Sequence, residues 1–182
     1  MARQYDSVYL ASVELMQKQT GRKAIVVLSD GVDRGSKKNI DQAIESAQRA
    51  NTVVYSILYE GEEGYGDGGG WGRGGMGGPW GRRGGSYPRP QEERPDGKKV
   101  LERISKETGG RMFKVSRKEK VDQIYQQIED ELRNQYNLGY TPDNAGGNSD
   151  YHKIHLATTQ KDLVVQARDG YYGSKPLDDS GK

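Results

Sequence analysis

The stretch Ala-Ile-Val-Val-Leu-Ser-Asp-Gly, residues 24–31, decides the fold class of this chain. Five apolar residues follow one another here, without the polar–apolar alternation of a strand that has one face in water. An unbroken apolar run is typical of a strand covered on both faces, as in a parallel sheet. We therefore expect residues 24–28 to form an inner strand, with Asp30 and Gly31 in the turn that follows it.

Helical and strand patterns alternate on both sides of this run. The predicted elements are, in chain order, helix 5–18, strand 24–28, helix 40–50, strand 52–59, helix 100–108, strand 111–115 and helix 121–134. Ser36 or Asn39 is available to cap the second helix, and Gly109 and Gly110 close the third. Alternating helices and strands predict an α/β fold with a doubly wound, Rossmann-like sheet and flanking helices.

The end of the chain has a different pattern. Residues 136–141, 151–158 and 162–168 are predicted strands that follow one another without helices between them. Consecutive strands of this kind predict a small antiparallel β tail. The predicted organisation is therefore an α/β domain over residues 1–134, a β tail over residues 135–173 and a disordered end over residues 174–182.

Glycine is concentrated in one part of the chain. Of 26 glycines among 182 residues, 15 lie within residues 61–97, together with four of the six prolines and both tryptophans. This composition predicts a disordered insertion that interrupts the α/β pattern. Without it, about 145 residues remain, which suffices for one modest core.

Composition excludes several classes of function. A formal net charge of +2 argues against a DNA-binding domain held by bulk charge. The chain has no cysteine, so disulfides, thiolate zinc sites and cysteine nucleophiles are excluded. No apolar run approaches the ~20 residues of a membrane span, and the first residues do not have the pattern of a signal peptide.

Residues 21–33, Gly-Arg-Lys-Ala-Ile-Val-Val-Leu-Ser-Asp-Gly-Val-Asp, resemble the fourth strand of a von Willebrand factor type A (VWA) domain. More narrowly, the chain is similar to the VWFA-related domains common in Acidobacteria. The other segments that carry this resemblance are residues 5–11, 43–59, 101–111, 132–142 and 167–172. The resemblance implies a bacterial, protein-binding module of adhesion type, in the cell envelope or secreted.

In intact VWA domains a divalent cation is held by an Asp-x-Ser-x-Ser after the first strand, a Thr in a later loop and an Asp after the fourth strand. Only the last ligand is matched here, by Asp30, and Ala-Arg-Gln stands at residues 2–4 where the Thr is expected. The resemblance therefore implies the carboxyl-terminal half of such a domain plus its tail. Mg²⁺ or another divalent cation is expected only if the missing amino-terminal half is supplied.

A free strand edge follows from the same reasoning. If residues 24–28 form an inner strand, their second edge needs a partner, and an unpaired apolar edge is an association site. We expect the partner strand to come from an upstream segment or from another chain.

Asp30 has two interpretations. As a metal ligand it lies at the carboxyl end of a strand, where ligands gather in α/β sheets. As a turn residue beside Gly31 it accepts hydrogen bonds from local amides. With one carboxylate, and Asp33 nearby, a lone Mg²⁺ is expected to bind weakly.

The glycine-rich insertion offers an alternative function, nucleic-acid or condensate interaction. Arg-Gly-Gly occurs at residues 73–75 and 83–85, among Trp71, Trp80 and Tyr87, and arginine with aromatic residues can bind unpaired nucleic acid. Acidic residues on both flanks and the shortness of the array argue against nucleic acid, and a disordered loop is the simpler interpretation.

No catalytic motif is present in the sequence, so a non-enzymatic function is expected. His152 and His155 are three residues apart on a predicted strand and would point to opposite faces, which argues against a shared metal. Asp143, Asn144 and Asn148, with Asp150, lack the spacing of a calcium loop.

Overall fold

The computed structural model describes residues 3–59, 96–116, 120–140 and 150–173. The four helices in these ranges are α1 (Gln4–Leu10), α2 (Ile40–Arg49), α3 (Gly97–Thr108) and α4 (Val121–Arg133). The five strands are β1 (Lys23–Ser29), β2 (Thr52–Leu58), β3 (Met112–Lys114), β4 (Tyr151–Lys153) and β5 (Gly170–Tyr172). The predicted helix 5–18 is helical throughout, but after α1 it continues as a π-helical turn, Ala11–Leu15, and a 3₁₀ turn, Met16–Lys18.

The main sheet is parallel, with β2 between β1 and β3. Lys23 pairs with Thr52 at the start of β1, and Ser56 pairs with Met112 at the start of β3. Each connection passes through a helix, as parallel pairing requires. The predicted α/β class with helices on both faces of a parallel sheet is confirmed.

Helices cover the two faces of the sheet unequally. On one face α1, α2 and α3 pack against the sheet, with Val8, Ala43, Ile44, Ala47, Val54, Val100 and Ile104 at the centre of the core. On the other face α4 packs over β2 and β3, with Tyr55, Ile57, Phe113, Ile124 and Ile128 buried between them. Both faces of β2 are covered, so this strand is buried as its unbroken apolar sequence predicts.

β1 differs from its prediction. It lies at an edge of the three-stranded sheet, and on the α4 side Val26 is 38% exposed and Leu28 is 55% exposed. The expectation that both faces of residues 24–28 are covered is therefore wrong within the described part of the chain. The physical reason is that α4 packs on β2 and β3 and leaves most of this side of β1 open.

Local capping sets the helix ends. Asn39, not Ser36, caps α2: its side chain accepts from the Gln42 N–H, and the Gln42 side chain accepts from the Asn39 N–H. Gly109 ends α3 in the left-handed conformation (φ 89°), as a glycine after a helix does. Arg22 donates to the carbonyl groups of Leu132, Arg133 and Gln135, so the start of β1 holds the end of α4.

The tail is antiparallel, as predicted, but two of its three predicted strands are wrong. β4 lies within predicted strand 151–158 and pairs with β5, whereas residues 136–140 and 162–168 form no regular strand. Side-chain hydrogen bonds instead hold residues 162–168 against the α/β domain. Gln166 donates to the Gly109 carbonyl, and Arg168 donates to the side-chain oxygen of Asn51. The guanidinium of Arg49 lies 4.1 Å from the ring centre of Tyr172, so the tail docks on the ends of α2 and α3.

Several predictions fall outside the described residues. They are the glycine-rich insertion up to residue 95 with its Arg-Gly-Gly triplets, Thr141, the loop residues Asp143, Asn144 and Asn148, and the end at residues 174–182. Gly97, by contrast, belongs to the first turn of α3. Within the described ranges, none of the helices has the length and apolar character needed to cross a membrane.

Candidate functional site

Asp30 follows β1 directly, at the carboxyl edge of the sheet. Its side chain is exposed, and its Oδ1 accepts a hydrogen bond of 3.0 Å from the Val32 N–H. Ser29 supports the same turn, because its hydroxyl oxygen accepts from the Gly31 N–H at 3.0 Å. These contacts are those of a turn residue that binds local amides. The predicted position of Asp30 is therefore confirmed, while its role as a metal ligand stays a prediction.

Gln4 lies beside this turn, and sequence reasoning missed it as a site residue. Its side chain is only 5% exposed, and its Oε1 accepts a hydrogen bond of 3.0 Å from the Ser29 hydroxyl. Its Nε2 is buried without a hydrogen-bond partner within the described structure. Buried side-chain donors without a partner are rare in folded proteins. The available signal was spacing, since Gln4, Val8 and Ser12 recur every four residues and all three are buried.

A shallow depression connects Asp30 to the end of β2. It is lined by Leu28, Ser29, Asp30 and Tyr59. The Tyr59 N–H donates to the Ser29 carbonyl at 3.0 Å, so the chain leaves β2 alongside the turn after β1. Leu28 and Tyr59 are both more than half exposed, and together with the Asp30 carboxylate they form a surface with apolar sides and one charge. We call these four residues the carboxyl-edge depression.

The loop after Asp30 is held in place by α1. The Asp33 carboxylate accepts from the Tyr5 N–H at 3.2 Å and from the Ser36 hydroxyl at 2.6 Å. The Asp6 carboxylate accepts from the backbone N–H groups of Lys37 and Lys38, and these two hydrogen bonds lower the pKa of Asp6. Asp33 is thus engaged in the structure of the loop rather than free to join Asp30.

Two glycines bring the turn after β1 against the start of α3. A Cβ atom on Gly31 would lie 2.2 Å from the Gly97 carbonyl oxygen, and one on Gly97 would lie 2.6 Å from the Asp30 carbonyl oxygen. Both distances are too short for any side chain, so this close approach requires glycine at both positions. This contact with the start of α3 fixes the position of the Asp30–Gly31 turn.

The described residues contain no cluster of three or more His, Cys, Asp or Glu side chains arranged to hold a metal ion. His152 lies in β4, and its ring stacks on Tyr171 with ring centres 5.1 Å apart. His155 lies beyond β4 and lines a different cavity. The Asp30 turn and the two histidines thus lie on separate parts of the structure.

That second cavity lies between the tail and α3. Its volume is about 330 Å³, and its lining includes Lys106, His155, Leu156, Val165 and Arg168. Its tail residues belong to the irregular connection between β4 and β5. It lies near Gly110, at the amino end of β3, whereas the carboxyl-edge depression lies at the other ends of the strands.

Comparison with known proteins gave no relative from which a function could be transferred: no family model, curated protein or solved structure matches this chain.

Proposed function

We propose that this chain is a non-catalytic, protein-binding module of the VWA class with an incomplete metal-ion-dependent adhesion site. The observation that carries the proposal is the carboxyl-edge depression, in which exposed Leu28 and Tyr59 flank the Asp30 carboxylate. A surface of this kind, apolar with a few polar groups that fix orientation, is typical of a recognition site. The resemblance of residues 21–33 to a VWA strand supports the class, and with it a location in the cell envelope or outside the cell.

The backbone around the depression is held in one conformation. The loop after Asp30 is held by hydrogen bonds to Asp6 and Asp33, and the turn is held against Gly97. A preorganised surface loses less conformational entropy when a partner binds. Because the exposed Asp30 carboxylate accepts hydrogen bonds and carries a negative charge, we infer that the partner presents an apolar segment together with a hydrogen-bond donor or a positive charge.

A divalent cation does not fit the described residues by themselves. Asp30 supplies one carboxylate, whereas Mg²⁺ takes six oxygen ligands, several of which are waters when protein ligands are few. The Oδ1 atom of Asp30 already accepts the Val32 N–H. In the proposed binding, Asp30 is therefore a charged contact with the partner rather than a metal ligand.

Site-specific photocrosslinking tests the proposal in cells that make the protein. Benzoylphenylalanine replaces Tyr59 in the depression, or Tyr125 on α4 as a matched control, since these tyrosines are 53% and 47% exposed. We expect adducts with another protein at position 59 and not at position 125. Equal yields at both positions, or adducts only at position 125, would show that the depression is not the binding site.

A further inference from the structure

Within the described residues, the main-chain groups on the outer edge of β1 have no hydrogen-bond partner. The Ser29 carbonyl accepts a hydrogen bond from the N–H of Tyr59, which directly follows β2, so this carbonyl points toward β2. Main-chain groups alternate in direction along a strand, and Ala24, Val26 and Leu28 therefore point their N–H and C=O groups away from β2. Within the described residues no strand lies on that side, because β1 pairs with β2 alone.

Residues 24–28 themselves contain none of the sequence features that usually prevent pairing at an exposed edge. Exposed strand edges are commonly protected by proline, by a bulge or by a charged side chain in the middle of the strand. Residues 24–28 are Ala-Ile-Val-Val-Leu, and β1 pairs with β2 without interruption over all seven residues. Val26 and Leu28 add exposed apolar side chains on the α4 face.

We propose that a second copy of this chain pairs with this edge, antiparallel and centred on Val26. This inference deepens the proposed protein-binding function, on which it rests, by naming the occupant of the β1 edge. Val26 then lies opposite Val26 of the other copy, and Ala24 lies opposite Leu28. Each of these pairs exchanges two main-chain hydrogen bonds, and the two sheets become one of six strands with a twofold axis at Val26.

The sequence of β1 is complementary to itself in this arrangement. The guanidinium of Arg22, just before β1, donates to carbonyl groups at the end of α4 and keeps its positive charge there. The register places this charge opposite Asp30, just after β1, and the twofold axis repeats the pair of opposite charges. The small Ala24 side chain faces the larger Leu28, and the two copies of Val26 meet at the axis. Parallel pairing would instead place Arg22 beside Arg22, and like charges directly opposite are unfavourable. Charge and size therefore both favour the antiparallel second copy as the occupant.

Sedimentation velocity of the whole chain is the first test. We expect a species of twice the 20.2 kDa chain mass. Val26→Lys and Val26→Glu each place like charges on the twofold axis, and each should weaken self-association by about tenfold or more. An equimolar mixture of the two variants should restore the dimer, because lysine then faces glutamate. Val164→Lys, at a position that is 96% exposed in the tail, should leave the dimer unchanged.

Disulfide formation tests the register. The chain has no cysteine, so Val26→Cys introduces a single thiol, and the Cα distance of about 5.5 Å in a hydrogen-bonded antiparallel pair allows a disulfide. We expect rapid formation of a covalent dimer under mild oxidation, and much slower formation with Val164→Cys. Circular dichroism confirms that each variant is folded.

Two results would overturn the inference: a monomer at all concentrations, or a dimer that neither the Val26 charge variants nor their mixture affects. A monomer that still forms adducts at position 59 would leave the proposed function standing. A Val26-dependent dimer without such adducts would instead support self-pairing and contradict the depression as a partner site.

Discussion

The hydroxyl group of Ser105 on α3 donates a hydrogen bond of 2.8 Å to the hydroxyl oxygen of Ser56 on β2, and neither side chain is exposed to solvent. One turn further along α3, the Thr108 hydroxyl oxygen accepts the Val54 N–H at 3.0 Å. Val54 precedes the part of β2 that pairs with β3. The Thr108 side chain on α3 therefore satisfies an N–H group that none of the described strands reaches. These two polar contacts define how α3 lies along the central strand.

Removing one member of the serine pair should destabilise the protein. Ser105→Ala leaves the Ser56 hydroxyl buried without this partner, and we expect the free energy of unfolding to fall by about 1–3 kcal/mol. The double variant Ser56→Ala with Ser105→Ala should lose less than the sum of the two single variants, because it leaves no orphaned hydroxyl. Urea unfolding at equilibrium measures these values, with exposed Ser7→Ala as the control. Additive losses would show that the two hydroxyl groups are not coupled.

The glycine contact at the site makes a second prediction. Gly31 and Gly35 both have positive φ, 78° and 85°, but a Cβ on Gly35 meets nothing within 4 Å. Gly35→Ala should therefore cost only the backbone strain, about 1–2 kcal/mol. Gly31→Ala should cost at least about 1 kcal/mol more, because its Cβ overlaps the Gly97 carbonyl. Thermal and urea unfolding of the pair provide the comparison, and equal losses would mean that the close approach does not exist in solution.

The raised pKa of Tyr55 leads us to expect a loss of stability at alkaline pH. Burial, reinforced by the Glu131 carboxylate, raises the pKa of Tyr55 to about 12. In the unfolded chain the pKa is about 10, so between these values the folded state holds the phenolic proton more tightly. This contribution to the free energy of unfolding is complete below about pH 10 and is lost as the pH rises toward 12.

Tyr55→Phe should therefore flatten the decline of the unfolding free energy between about pH 10 and 12. Denaturant unfolding at several pH values measures the slope, and Tyr59→Phe serves as an exposed control. The decline should become smaller rather than vanish, since burial also raises the pKa of Tyr5 and Tyr172. An unchanged slope in Tyr55→Phe would show that its phenol titrates alike in the folded and unfolded chains.

The incomplete metal site makes a fourth prediction. Calorimetric titration with Mg²⁺ should show no saturation below about 1 mM, because a site with one carboxylate binds a hard cation weakly. The Asp30→Asn variant should behave like the unmodified chain. Tight binding that Asp30→Asn abolishes would mean that this chain completes the ligand set by itself, and the incomplete-site interpretation would be wrong.

Much of the fold was predictable because it depends on interactions between residues close together in the chain. The spacing of apolar residues placed α2, α3 and α4, and the runs at residues 24–28 and 52–59 placed the two long parallel strands. A cap at Ser36 or Asn39 and the helix end at Gly109 were predictable for the same reason, since a cap acts on amides within one helical turn. The structure decided between the two caps in favour of Asn39. Asp30 could be placed at the carboxyl edge because it directly follows a strand of known direction.

The rest of the candidate site depends on contacts between distant parts of the chain. Gln4 reaches Ser29 across 25 positions, and Gly31 meets Gly97 beyond the glycine-rich insertion. Neither partner carries a local signal for the other. The orphaned Nε2 of Gln4 is likewise a property of its surroundings, which the helical spacing of Gln4, Val8 and Ser12 does not reveal.

The sequence by itself determined the order of helices and strands and the parallel character of the sheet, because periodicity and capping act over a few residues. Only the tertiary structure decided which strands are covered. The apolar run at residues 24–28 became an edge strand with Val26 and Leu28 in solvent, since α4 packs on β2 and β3. It also decided that Gly170–Tyr172 pairs with Tyr151–Lys153, while Val164 stays exposed, because strand pairing depends on which segments meet in space.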